Sequence, residues 1–212
     1  NIKHQTSNIK HQTSNIKHLN LPFRPMDFYQ QTFAAKDYTQ QGLTKGLYEQ
    51  CRFEQCHFPQ QDLSGYKFEN CSFETCDLSM VLLEGTALRE VKFVNCKLLG
   101  LRFDDCHTFG FAVAFENCLL DHASFYQCKL KKTKFISCRL IGVDFAACDL
   151  TSAVFSQCDL EAAVFDNTNL EQADFSSSVG FVIDPTKNSI RKARFSRHNL
   201  EGLLGHLGID IV

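Results

Sequence analysis

The feature of this chain that most restricts its fold is a large apolar residue at every fifth position. The stretch "FSQCDLEAAVFDNTNLEQADF" shows the spacing in five consecutive centres: Phe155, Leu160, Phe165, Leu170 and Phe175. Steps of five turn about 140° each around an α-helix, and on a flat strand an odd step alternates faces. Neither element gathers these side chains into one core, so the repeat itself has to define the fold.

The spacing runs over residues 28 to 103, slips by two residues, and resumes over residues 115 to 175, which gives 16 centres before the slip and 13 after it. Two positions before each later centre the residue is small, as at Val113, Cys118 and Ala123. One large and one small inward residue in five, with mostly polar residues between them, predicts a coiled chain whose side chains point inward twice per repeat.

At these residues the sequence resembles the pentapeptide-repeat family, whose motif is a small residue, Asp or Asn, Leu or Phe, and two variable positions. "CDLEA", "TNLEQ" and "ADFSS" match that motif, and the resemblance covers roughly residues 28 to 178. It implies an all-β fold, a right-handed quadrilateral β-helix in which four repeats make one square coil. The 29 centres then give about seven coils, a rod of roughly 34 Å at a strand spacing of ~4.8 Å.

A four-sided coil also predicts which side chains stack, because residues 20 apart fall on the same face. One face is expected to carry Phe115, Phe135, Phe155 and Phe175. The opposite face is expected to carry Phe125, Phe145 and Phe165, with leucines on the two faces between.

The chain divides into three predicted segments. "NIKHQTS" occurs twice and restarts as "NIKH" before Met26, so residues 1 to 25 are interpreted as an added, disordered leader. Residues 26 to 178 form the β-helix, and residues 179 to 212 form a C-terminal capping and dimerisation module. Without the leader, 18 basic residues stand against 24 acidic ones, so the net charge changes from −2 to −6.

The eleven cysteines all lie on the small-residue positions, which favours packing over disulfides or zinc, since buried free Cys behaves as a small hydrophobe. No metal or other cofactor is therefore expected. No phosphate loop, nucleophile elbow or HExxH motif is present, so an enzyme is not predicted. With no secretion signal and no apolar run of the ~18 to 20 residues that a membrane span needs, we expect a cytoplasmic protein without a membrane partner.

Charge is uneven along the repeats. Residues 140 to 186 contain eight acidic residues and no Lys or Arg, whereas "KLKKTKFISCR" just before them is basic. Asp before a centre is commonly a turn-stabilising residue, which leaves a solvated surface as one interpretation. The other is a negative stripe for a protein that grips phosphates. The candidate partner-binding residues are Asp144, Asp149, Asp159, Glu161, Asp166, Glu171 and Asp174.

Beyond Ser178 the sequence predicts an amphipathic helix with a leucine stripe that Gly208 would end. It would cap the open coil, and its apolar residues exceed what one cap needs, so a two-fold dimer is predicted beside the alternative of a monomeric cap. The predicted dimer interface comprises Phe195, Leu200, Leu203, Leu204, Leu207 and Ile209.

The tail, with "IRKARFS" and a terminal "LGIDIV", resembles the topoisomerase-poison resistance branch of the family, the albicidin-resistance and quinolone-resistance (Qnr) proteins. That resemblance implies a cytoplasmic bacterial homodimer whose acidic rod mimics DNA. It would bind DNA gyrase or topoisomerase IV and protect the enzyme from a fluoroquinolone or albicidin. An acidic scaffold with a different protein partner stays open. Direct nucleic-acid binding by the basic stretch is not expected, because it lacks interleaved exposed aromatic residues.

Many quinolone-resistance members have two loops projecting from the coils, whereas the clear interruption here is the two-residue slip in "CHTFGFAVAF", residues 106 to 115. His107, Phe109, Gly110 and Phe111 lie off the core spacing and are candidate partner-binding residues. The alternative is a bulge that tucks its aromatic rings against the wall.

Overall fold

A computed structural model describes residues 27 to 209. The predicted leader, Met26 and the last three residues lie outside that range. The thirteen strands are β1 Asp27–Tyr29, β2 Thr32–Ala34, β3 Leu47–Glu49, β4 Arg52–Glu54, β5 Lys67–Glu69, β6 Ser72–Glu74, β7 Ala87–Arg89, β8 Val91–Val94, β9 Val113–Glu116, β10 Lys134–Ile136, β11 Val154–Ser156, β12 Asp174–Phe175 and β13 Arg194–Phe195.

The strands form the walls of a four-sided parallel coil. One sheet, which we call the continuous wall, has nine strands in the order β2-β4-β6-β8-β9-β10-β11-β12-β13. A second sheet, β1-β3-β5-β7, stops after four strands and is followed on the same side by single bridges at residues 129, 149, 169 and 189; we call it the interrupted wall. The remaining two sides are joined by isolated parallel bridges.

The coil is longer than the repeat spacing predicted. Nine strands on one wall mark eight turns, about 38 Å at a strand spacing of ~4.8 Å. The predicted end of the repeats at Ser178 needs correction, because β13 pairs in parallel with β12 and places Phe195 beside Phe175. Ile190 and Phe195 supply partly buried centres for this turn, although the residues around them depart from the motif.

The predicted stacking of residues 20 apart is confirmed. On the continuous wall the Phe135 ring stacks on Phe115 with centroids 5.2 Å apart and on Phe155 at 4.8 Å. On the opposite side Phe125 stacks on Phe145 at 5.4 Å. Rings from the two sides meet edge to face, as the electrostatics of aromatic pairs favours. Each coil therefore buries the apolar face of its neighbour.

A left-handed residue turns most corners of the coil. Two positions after most centres the backbone has a positive φ, for example 53° at Gln50 and 52° at Gln55. This conformation is unfavourable for L-residues. At the corners its cost is offset because the N–H donates to the next coil, as from Gln50 N to Glu69 O at 2.9 Å.

The cysteines occupy the packing positions that the sequence indicated. All eleven are free thiols, and ten are buried while Cys128 is half-buried. Burial raises the pKa of Cys71 to about 11, where the thiol stays protonated at neutral pH.

A short helical segment covers the last coil, as the sequence predicted. It consists of a 3₁₀ turn Arg197–Asn199, the helix α1 Glu201–Leu204 and a second 3₁₀ turn Gly205–Leu207, ending at Gly208 with φ +62°. Among residues 27 to 209, no helix is long and apolar enough to cross a membrane.

Candidate partner-binding surfaces

The predicted bulge lies where the interrupted wall stops. Phe93 of β8 pairs with Phe115 of β9, so this turn takes 22 residues instead of 20. The chain leaves a 3₁₀ turn at Phe103–Asp105 and returns to the coil when Ala112 N donates to Leu88 O at 3.0 Å. The two extra residues interrupt strand pairing on this side and leave pairing on the continuous wall intact.

The bulge sends its two aromatic residues in opposite directions. Phe109 is 74% exposed, whereas Phe111 is half-buried and packs against the core. The Arg89 guanidinium lies 5.6 Å from the Phe109 ring centroid. Gly110 has φ +74°, and His107 Nδ1 accepts from Phe109 N at 3.2 Å, so the tip of the bulge has a defined shape. The interpretation of an exposed aromatic tip therefore describes Phe109, and the alternative of a ring tucked against the wall describes Phe111.

The seven acidic candidates do not form a stripe. Asp159 and Glu161 flank Leu160 on one side of the coil, and the other five are distributed over the remaining three sides. None of the seven has another of them 20 residues away, so their carboxylates are not stacked. For example, Asp144 bridges to Ser124 on one side and Val164 on the other.

Four of the seven hold turns. Each accepts a hydrogen bond from the backbone N–H two residues later: Asp144, Asp149, Asp159 and Asp174. Burial alone would raise the pKa of Asp149, but hydrogen bonds from Thr151 and the Lys131 ammonium outweigh it and lower that pKa. The expectation that Asp before a centre stabilises turns is confirmed for these residues.

The carboxylates of the other three candidates hold no turn, although Asp166 Oδ2 accepts from Asn167 Nδ2 at 3.1 Å. Glu161 and Asp166 are exposed and Glu171 is half-buried, and no ion pair with another described residue involves any of them. They follow a centre instead of preceding one, so Glu161 and Glu171 enter a turn only through the backbone N–H, which donates to Asp159 Oδ1 and Asn169 Oδ1.

The basic stretch is partly neutralised by carboxylates of neighbouring coils. Lys131 Nζ lies 3.1 Å from Asp149 Oδ2, and Arg139 Nε donates to Asp121 Oδ1 at 3.0 Å. Phe135 within it is fully buried. These contacts reduce its positive charge.

Two of the six predicted dimer residues pack against the core of the coil, and the other four are exposed. Phe195 and Leu203 pack against the core. Gly202 brings α1 close, since a Cβ there would lie 2.1 Å from Phe181 O. The residues left exposed are Leu200, Leu204, Leu207 and Ile209.

Sequence reasoning missed the carboxylates that do stack. Glu49 pairs in register with Glu69 on the interrupted wall, and Glu54 with Glu74 on the continuous wall. Arg89 binds Glu69, and Arg52 Nε lies 2.7 Å from Glu54 Oε1, so arginines offset the repulsion. Their spacing of 20 residues was the available signal.

Comparison with known proteins agrees with this geometry. The family profile described as "Pentapeptide repeat region" matches residues 47–125, 109–178 and 128–203, well over half of the chain. The chain therefore belongs to the pentapeptide-repeat family. No curated protein matches the sequence.

Two solved structures share the fold. One is a trypsin-treated variant of QnrB1, described as a plasmid-mediated fluoroquinolone resistance protein, with a TM-score of 0.57, 18% identity, and coverage of 88% of this chain and 100% of the trypsin-treated chain. The other is HetL, involved in heterocyst differentiation regulation in the cyanobacterium Nostoc, with a TM-score of 0.57, 16% identity, and coverage of 82% and 86%. At these identities the likeness concerns the fold alone.

Proposed function

We propose that this protein binds a bacterial type II topoisomerase, DNA gyrase or topoisomerase IV, and protects it from a poison such as a fluoroquinolone or albicidin. The protein would act in the cytoplasm by non-covalent binding as a DNA mimic, without catalysis or a cofactor. Family membership and the fold shared with QnrB1 support the proposal, together with the resemblance of the C-terminal sequence to the resistance branch.

The observation that carries the proposal is the charge density of residues 140 to 186, which precede the basic last coil. Residues 140 to 186 contain eight carboxylates and no Lys or Arg. At ~4.8 Å per turn this stretch spans about 11 Å of the axis, which gives one negative charge per roughly 1.4 Å. Duplex DNA carries one per about 1.7 Å. Ion pairs from Lys131 and Arg194 offset two of the eight, which leaves the density near that of DNA.

The distribution of these charges around the rod suits the same interpretation. Duplex DNA presents phosphates on both strands around its axis, and a saddle that grips DNA contacts more than one side. Carboxylates on all four sides of the coil resemble that arrangement more than a single stripe would. The three residues Glu161, Asp166 and Glu171 would supply the partner contacts.

The exposed Phe109 would supply an apolar anchor. Aromatic residues are enriched among the few interface residues that dominate binding. This ring stands on a bulge with a defined shape, so ordering it on binding costs little. Together with His107, Gly110 and Phe111 it is our proposed second contact.

We also propose that two copies associate through the C-terminal segment. Leu200, Leu204, Leu207 and Ile209 are between 37% and 54% exposed. A Cβ at Gly205 would lie 3.5 Å from Val182 Cγ1, so the exposed Val182 extends the same surface. Such clustering of apolar residues is typical of an interaction site.

Binding to purified gyrase, measured by surface plasmon resonance at several salt concentrations, tests the proposal. The test variant neutralises three carboxylates, Glu161→Gln, Asp166→Asn and Glu171→Gln. The control removes equal charge from residues of the same exposure classes in the other half of the rod, Glu84→Gln, Glu90→Gln and Glu49→Gln. We expect the test variant to lose at least tenfold in affinity and the control much less. Equal losses, or no binding by the unmodified protein, would favour a scaffold with another partner.

A further inference from the structure

A cavity of about 230 Å³ lies between the bulge and the next coil. Its wall is mostly apolar and includes Phe103, Phe111 and Tyr126. Small-molecule sites usually occupy ~300 to 1,000 Å³, so this cavity suits a small molecule or a single side chain. It exists because the two extra residues displace the chain from the straight wall.

One carboxylate in the wall has an unused oxygen. Asp104 lines the cavity, its side chain is 11% exposed, and its Oδ2 lies 2.8 Å from Arg102 Nη2. Its Oδ1 is buried and, among the described residues, has no hydrogen-bond partner. Buried polar atoms are nearly always paired, so an unpaired carboxylate oxygen beside a cavity indicates a missing donor.

The neighbouring residues do not supply that donor. Lys129 lines the cavity, but its side chain makes no hydrogen bond to Asp104. The adjacent Asp105 also pairs with Arg102, at 3.1 Å, and does not line this cavity. Asp105 is therefore a natural comparison for Asp104, with the same charge and the same ion-pair partner.

From this combination we propose that the cavity binds an organic cation, a guanidinium or ammonium group on a short apolar stem. The cationic head would pair with the Asp104 carboxylate, whose closed-off Oδ1 would turn toward the cavity to accept from it, and the stem would lie among Phe103, Phe111 and Tyr126. Aromatic faces attract cations, so the lining suits both parts of such a ligand. The cation could belong to a free amine or guanidine or to an arginine side chain of a protein. The proposal does not require that the partner be a topoisomerase.

Titration of the full-length protein with benzylguanidinium, followed by isothermal calorimetry, tests the proposal, with neutral benzylurea as the matched probe. We expect benzylguanidinium to bind at least tenfold more tightly than benzylurea. Asp104→Asn should remove that preference, while Asp105→Asn should keep it within about twofold. Lys129→Gln should tighten binding, because it removes a like charge beside the cavity.

Comparable affinity for both probes, or no binding of benzylguanidinium at millimolar concentration, would overturn the proposal even if Asp104→Asn failed to fold. An unchanged preference in a folded Asp104→Asn variant would overturn it too. N-acetylarginine methylamide distinguishes the sources. Binding as tight as that of benzylguanidinium indicates a mouth that admits a side chain still attached to a backbone, and much weaker binding indicates a free ligand.

Discussion

The continuous wall and the interrupted wall are built from the same repeat, yet they differ where two residues are added. On the continuous wall the nine strands stay in register, and Phe93 stacks on Phe115 at 5.4 Å across the longer turn. On the interrupted wall the sheet ends at β7, an aromatic ring is exposed and a cavity opens. Strict periodicity therefore builds the core, and the departure from it creates the features that suit binding.

The largest expected effect comes from placing a charge inside the continuous wall. Phe135 is fully buried between two stacked rings, so Phe135→Asp both opens a cavity and buries a carboxylate. Loss of the ring alone costs about 3 to 5 kcal/mol in comparable cores, so we expect the coil to unfold. Circular dichroism recorded on heating measures whether the coil has unfolded.

Phe109→Asp is the matched control on the bulge. Because that ring is 74% exposed, we expect the melting temperature to change little. Similar losses of stability in both variants would contradict the contrast between the two walls.

The next effect concerns the end of the rod. Leu204→Asp places a charge on the exposed side of α1 and should give monomers, measured by sedimentation velocity. Leu82→Asp changes an exposed leucine on the wall of the coil and should leave the association state unchanged. A persisting dimer in Leu204→Asp would remove this surface as the interface.

Restoring the repeat on the interrupted wall tests the bulge. Deleting Phe109 and Gly110 returns the turn to 20 residues, so the coil should keep its melting temperature within a few degrees while protection of gyrase weakens severalfold. Phe109→Ser keeps the length of the bulge, so it separates the effect of losing the aromatic ring from the effect of losing the shape of the bulge. Full protection by the deletion variant would make the bulge passive.

The smallest expected effect is electrostatic. Burial raises the pKa of Asp149, but the hydrogen bonds from Thr151 and Lys131 lower it by more than burial raises it. The pKa in the folded protein therefore lies below the ordinary 3.8. The associated stabilisation is present above that value and is lost as the pH falls through the folded pKa. Because the pair is partly exposed, we expect at most about 1 kcal/mol. Denaturant titrations at pH 7 and pH 3 should show a smaller difference for Asp149→Asn than for the unmodified protein.

The spacing of large and small residues was enough to predict which rings stack, because every residue 20 positions away shares a side. The position of an acidic residue relative to the centre separated two roles, since a carboxylate before a centre holds a turn, as Asp144 does, and one after a centre does not, as at Glu161. The spacing did not indicate that Gly202 would bring α1 against Phe181. The path of the bulge depends on left-handed backbone at Gly110 and on packing of Phe111, and neither follows from periodicity.

The most direct test of topoisomerase protection is DNA supercoiling by gyrase in the presence of a fluoroquinolone, and separately of albicidin, while the purified protein is titrated in. We predict that low concentrations restore supercoiling against at least one poison, and that high concentrations without a poison inhibit it because the rod competes with DNA. No restoration and no inhibition at any concentration, with the coil shown to be folded, would contradict the proposed function.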